Sequence, residues 1–173
     1  MKPLVLVDGD GVTTLGLFTS ARQRGRLTRV EGWQHRWVDR YSGTRVLANP
    51  AWGPMLRSLE ELGAELAWAS TWNDDANLFI APALGLHYLP VFQCSYDRKA
   101  LDVIPLTGGR PWAWLDDSTE ELSAAETLSG QLWDAPCCPV PVDRATGLTE
   151  ENIKTVAEWL SDLPGDRERE KCR

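Results

Sequence analysis

Asp8 and Asp10 stand one residue apart at the end of the apolar run LVLV (4–7), with Gly11 immediately after. Two carboxylates held that close repel each other, and a bound cation is the usual remedy, so the pair seeds a metal site. More polar groups fall at comparable places. Ser70 and Thr71 follow the run AELAWA (64–69), Lys99 opens a short helical stretch, and Asp116 and Asp117 follow the run PWAWL (111–115). Singly, each has a plainer explanation. Ser70 could cap a helix, the acidic pair could start a turn, and Lys99 could be an ordinary solvated lysine. Taken jointly, a shared crevice explains these positions better than a string of coincidences does.

The elements that must carry these groups follow from periodicity. The uncharged aliphatic run 4–7 reads as a strand buried on both faces of a parallel sheet. After residue 50 helices and strands alternate, the mark of an α/β fold whose strand carboxyl ends share one edge and bind ligands there. Asn49-Pro50 predicts a helix cap with proline at the first helical position, and Gly63 the stop. Trp52, Met55, Leu56, Leu59 and Leu62 recur at helical spacing between them. Strands are expected over 64–69, near 87–92, over 111–115 and at 139–142. Helices are expected over 73–84, around 98–104, across 120–132 and from Thr149 onward, where Ile153, Val156, Ala157 and Leu160 share a face. Residues 1–163 read as one domain and the charged stretch 164–173 as a frayed tail.

Composition excludes several classes. The 173 residues suffice for one well-buried core. A net charge of −7, from 25 Asp+Glu against 18 Lys+Arg, argues against nonspecific grip on a nucleic-acid backbone. Arginines in 21–29 and 36–45 leave room for a local basic groove. No apolar run has the length of a membrane span, and residues 1–8 lack the pattern of a signal peptide, so a reducing cytoplasm is expected. The four cysteines show no C-x-x-C spacing and the two histidines lie far apart, which argues against zinc.

The residues singled out above resemble the haloacid dehalogenase-like (HAD) phosphohydrolase superfamily. Its first motif, a strand followed by D-x-D-G-[TV], is similar to Asp8-Gly9-Asp10-Gly11-Val12. Its second, a Ser or Thr ending the next strand, is similar to Ser70, its third to Lys99, and its acidic fourth to Asp116-Asp117. WNDDAN (72–77) further resembles the HAD domains of RNA-repair proteins. The resemblance implies a three-layer Rossmann-like parallel sheet and a magnesium-dependent phosphatase that works through an aspartyl-phosphate. It implies Asp8 as nucleophile and Asp10 as the acid and base, with Ser70, Thr71 and Lys99 on phosphate oxygens. Mg2+ would be held by Asp8, the Asp10 carbonyl and the Asp116-Asp117 pair, with Asp117 favoured as the direct ligand. The implied substrate is a phosphorylated small molecule, a nucleotide or a nucleic-acid end, with no membrane partner.

In that superfamily the stretch 13–48 is a cap insertion point, and its length suits a β-hairpin flap as a minimal cap. Within it Trp33, His35 and Trp37 would share one face of a strand. Packing is the stronger expectation for them, and stacking on a substrate ring the weaker, because nine tryptophans in one chain must mostly be core. Trp72 is a second lip residue to consider. Two other functions compete: a noncatalytic HAD-like binding module, against which the intact acidic set counts, and a phosphorylatable receiver domain. A receiver carries its acceptor aspartate on a middle strand, and none ends the third strand here.

Overall fold

The computed structural model describes residues 1–15, 36–39 and 45–164. In chain order its strands are β1 (Leu4–Val7), β2 (Arg36–Asp39), β3 (Arg45–Ala48), β4 (Glu65–Trp68), β5 (Trp112–Asp116) and β6 (Cys137–Pro141). Its helices are α1 (Trp52–Glu61), α2 (Ala81–Leu84), α3 (Lys99–Val103), α4 (Thr119–Leu132) and α5 (Glu150–Asp162). A π-helical turn, Ala76–Ile80, leads into α2, and a 3-10 turn, Ile104–Thr107, follows α3.

The central sheet is parallel throughout, in the order β4-β1-β5-β6. All four residues of β1 are buried, and they alternate between two cores. Val5 and Val7, with Leu66, Trp68 and Leu115, pack under α1, α2 and α5. Leu4 and Leu6, with Ala67, Trp112 and Trp114, pack under α3 and α4. The result is a three-layer Rossmann-like α/β fold. Removing each such aliphatic or aromatic side chain from water contributes about 1.5–3 kcal/mol. Two of the buried indoles also keep their polar edges partnered: Trp68 Nε1 donates to Asn77 Oδ1 (3.1 Å) and Trp112 Nε1 to Ser129 Oγ (3.0 Å). Because β4 and β5 flank β1 on opposite sides, β1 marks the point where strand order reverses, and the crevice of such sheets opens at its carboxyl end.

Three elements differ from the expectation. The strand near 87–92 shrinks to a single bridge between Val91 and Trp68. Pro90 accepts from Trp68 N (2.8 Å) but has no N–H to extend the ladder, and Asn77 binds both Leu89 N (2.9 Å) and Leu89 O (2.8 Å) in its place. The Asn49 cap is displaced as well. Asn49 Oδ1 accepts from Ala51 N (3.0 Å), a turn that closes before α1 starts at Trp52, so the helix has no side-chain cap. The expected helix over 73–84 is divided between the π-helical turn and the short α2, which Pro82 opens.

The stretch 13–48 contains the antiparallel hairpin of β2 and β3, with Trp37 paired to Leu47. Leu47 is buried and bridges to Leu15, fastening the hairpin to the segment after β1. Trp33, His35 and the tail 165–173 lie outside the described residues. No helix among the described residues is long and apolar enough to cross a membrane.

Candidate active site

The chain leaves β1 at Asp8 and immediately folds into a tight turn. Gly9 O accepts from both Thr13 N (2.9 Å) and Thr14 N (2.8 Å), and Gly11 N donates to Thr14 O (2.8 Å). Thr14 Oγ1 donates to Asp10 Oδ1 (3.0 Å), which fixes the direction of that carboxylate. Two glycines are required by what the turn passes. A Cβ on Gly9 would stand 2.8 Å from both Ser70 Oγ and Trp72 Cδ1. Gly11 has φ +79°, and a Cβ there would collide with the Asp117 carboxylate. Gly11→Ala is therefore expected to displace Asp117, with at least about 1 kcal/mol lost from the backbone conformation alone. Urea unfolding and divalent-ion titration of that variant check it, and wild-type values for both would contradict it.

Lys99 is the first residue of α3 and is 6 % exposed. Its Nζ lies 3.0 Å from Asp8 Oδ2 and 2.5 Å from Asp116 Oδ2, so one ammonium joins the ends of β1 and β5. Burial alone would lower the lysine's pKa, but Asp8 and Asp116 outweigh it and hold the group above its ordinary value, fully charged. Glu121 on α4 steadies the start of α3 by accepting from Ala100 N (2.7 Å). Ser118-x-x-Glu121 has the pattern of a capping box, yet only half of one forms. Ser118 Oγ accepts from Glu121 N (3.3 Å), while Asp116 Oδ1 takes Ser118 N (2.8 Å) and frees Glu121 to reach α3.

Asp8, Asp116 and Asp117 each offer an oxygen within 4.8 Å of the other two. Asp116 is wholly buried; burial and then the Asp8 charge push its carboxyl above the ordinary carboxylate range, and the same causes in the same order raise Asp117. Asp116 Oδ2 and Asp117 Oδ2 stand in ion pairs with Lys99 and Arg144 (3.3 Å), yet among the described residues neither accepts an aligned hydrogen bond. Lys99 and the half-exposed Arg144 bring two positive charges to three clustered carboxylates, and a bound cation would balance the excess negative charge. The donor set, all hard oxygen, fits magnesium or a similar ion.

A cavity of about 380 Å³ opens over this cluster, lined among the described residues by Asp8, Asp10, Thr71, Lys99, Asp117 and Arg144, with Tyr96, Asp97 and Glu120 toward its rim. Of the acidic pair, Asp117 is the one that faces the cavity; Asp116 is committed to Lys99 and the Ser118 backbone. Ser70 stands differently from the phosphate-binding place the resemblance implies. It is fully buried, its Oγ accepts from Gly9 N (3.1 Å) and Trp72 N (3.4 Å), and Thr71 lines the cavity in its stead. Trp72 is 1 % exposed and packs in the core, so it is no lip residue. Burial pushes the nearby Cys94 thiol up to about 12, which disfavours its thiolate.

Thr14, Glu121 and Arg144 escaped the sequence reading. The Ser118-x-x-Glu121 pattern could have signalled Glu121, whereas nothing local distinguishes Arg144. It rides on a turn made by Asp143, whose Oδ1 accepts from Ala145 N (2.9 Å) and whose carbonyl accepts from Gly147 N (2.8 Å). Leu148 N donates to Val12 O (3.1 Å) and so brings that turn against the loop after β1.

No protein-family model and no curated protein matches this chain. Among solved structures, the crystal structure of a hypothetical protein from Xanthomonas campestris resembles it with a TM-score of 0.49 and 16 % sequence identity, over 97 % of this chain and 87 % of that one.

Proposed function

We propose that this chain is a magnesium-dependent phosphomonoesterase of the HAD type with Asp8 as its nucleophile. The observation that carries the reading is the buried Lys99 held between Asp8 and Asp116, with Asp117 grouped beside them at the switch point of the sheet. A carboxylate oxygen of Asp8 attacks phosphorus, the ester bond breaks, and an aspartyl-phosphate remains. Asp10, aimed by Thr14, gives its proton to the departing oxygen and then takes one from the water that hydrolyses the acyl phosphate. Lys99 and Thr71 bind phosphoryl oxygens and offset the charge on them. A magnesium ion held by Asp8 and Asp117, with Asp116 and the Asp10 carbonyl in support, would relieve the repulsion between the attacking carboxylate and a phosphate dianion.

The cavity volume suits a small ligand. Asp97 and Glu120 at the rim repel a polyanion, which favours a small phosphomonoester over a nucleic-acid end. Hydrolysis of an aryl phosphate with and without chelator tests the reading. Turnover should vanish on chelation and return with magnesium, while calcium restores less than about a tenth, because its larger, looser shell misplaces the nucleophile. Turnover that chelation leaves untouched would overturn it.

A further inference from the structure

Arg144 is, among the described residues, the basic group lining the cavity that the reaction above leaves unused. Its Nε stands 3.3 Å from Asp117 Oδ2 and half of its side chain is exposed, on a turn pinned by Asp143 and tied to the loop after β1. A cation bound by Asp117 would satisfy the same oxygen and repel the guanidinium, weakening this ion pair. In the reaction above the phosphoryl oxygens have Lys99 and Thr71 as partners, and a bound cation would offset their charge further. What remains for Arg144 is an anionic group of the substrate outside the phosphoryl being transferred. Asp117, one of the groups it pairs with, shows what kind. A guanidinium that accommodates one carboxylate accommodates another, in the forked geometry that suits the pair. A second phosphate would bring more negative charge than a rim carrying Asp97 and Glu120 favours.

Resting on the phosphomonoesterase reading, we infer that Arg144 is a specificity-determining residue that exchanges Asp117 for a carboxylate on the substrate. The substrate class is a small phosphomonoester that also bears a carboxylate. In the cation-free protein Arg144 neutralises Asp117; with cation and substrate present it holds the far end of the substrate.

Two measurements on the whole chain test this. Manganese binding, followed by calorimetry without substrate, should be about threefold to tenfold tighter in Arg144→Ala, because the competing positive charge is gone, and close to wild type in Arg144→Lys. Unchanged or weaker binding in the alanine variant overturns the exchange. The second measurement compares 3-phosphoglycerate with glycerol 3-phosphate, which differ in a carboxylate. Wild type should favour 3-phosphoglycerate by about tenfold or more in kcat/KM, and Arg144→Ala should bring the ratio near one, chiefly by raising KM for 3-phosphoglycerate. A wild-type ratio near one, or a ratio that survives the substitution, overturns the specificity role. If wild type hydrolyses neither compound nor any aryl phosphate, the phosphatase reading and this specificity role fall together, whereas the manganese measurement still decides the exchange at Asp117.

Discussion

Replacing Asp8 with asparagine should abolish turnover, by about 10³-fold or more, while the protein stays folded. The amide cannot attack phosphorus, and the carboxylates grouped with it are engaged elsewhere: Asp117 is paired with Arg144. Asp116 is wholly buried and held by Lys99 and Ser118 N, and Asp10 is turned toward Thr14. The fold should tolerate the change because Lys99 keeps Asp116 as a partner and one member of a mutually repelling carboxylate group disappears. Steady-state kinetics and thermal melting on one preparation check both halves. Activity above a few per cent of wild type, an estimate that allows for deamidation, would remove Asp8 from the role.

Lys99→Met should be the most destabilising of the single changes. It leaves Asp8 and Asp116 buried without their shared counter-charge, and breaking a buried pair in this way costs about 3–5 kcal/mol. Part of the loss should return on adding magnesium, which would supply the missing positive charge, so the variant should gain more stability from the ion than wild type does. Turnover should remain at least about 10²-fold down even with the ion present, since a phosphoryl oxygen has lost its ammonium. Urea unfolding with and without magnesium reads the first two effects. A loss below about 1 kcal/mol would mean that Lys99 does not stabilise the cluster.

Much of this site is legible in the chain because its strands are buried on both faces. LVLV and WAWL are continuous apolar runs, and such runs announce both the parallel sheet and the place where the next carboxylates emerge. Asp8, Asp116 and Asp117 are legible that way and Lys99 by its place at the start of a helix, and the structure brings the four together. What escaped depends on partners distant in sequence. An apolar run at 87–92 looks like a strand until Pro90 and the reach of Asn77 are seen together. Asn77 is the second asparagine of WNDDAN, and here it joins β4 to the Leu89 backbone and does not face the cavity. Ser70 likewise stands at the predicted strand end, but its hydroxyl faces Gly9 N and leaves the cavity to its neighbour Thr71. A strand-end position predicts the edge of the sheet a residue reaches; its rotamer and hydrogen-bond partners decide whether it meets a ligand.

The central claim is that Asp8 carries the phosphoryl group during turnover. Quenching the protein in acid during hydrolysis of an aryl phosphate, reducing with borohydride and mapping the product by peptide mass spectrometry addresses it directly, because an acyl phosphate is reduced to the alcohol while a free carboxylate is not. The account predicts homoserine at position 8, present with magnesium and absent after chelation. Turnover that yields no reduced residue at position 8, or yields one at another carboxylate, would contradict it.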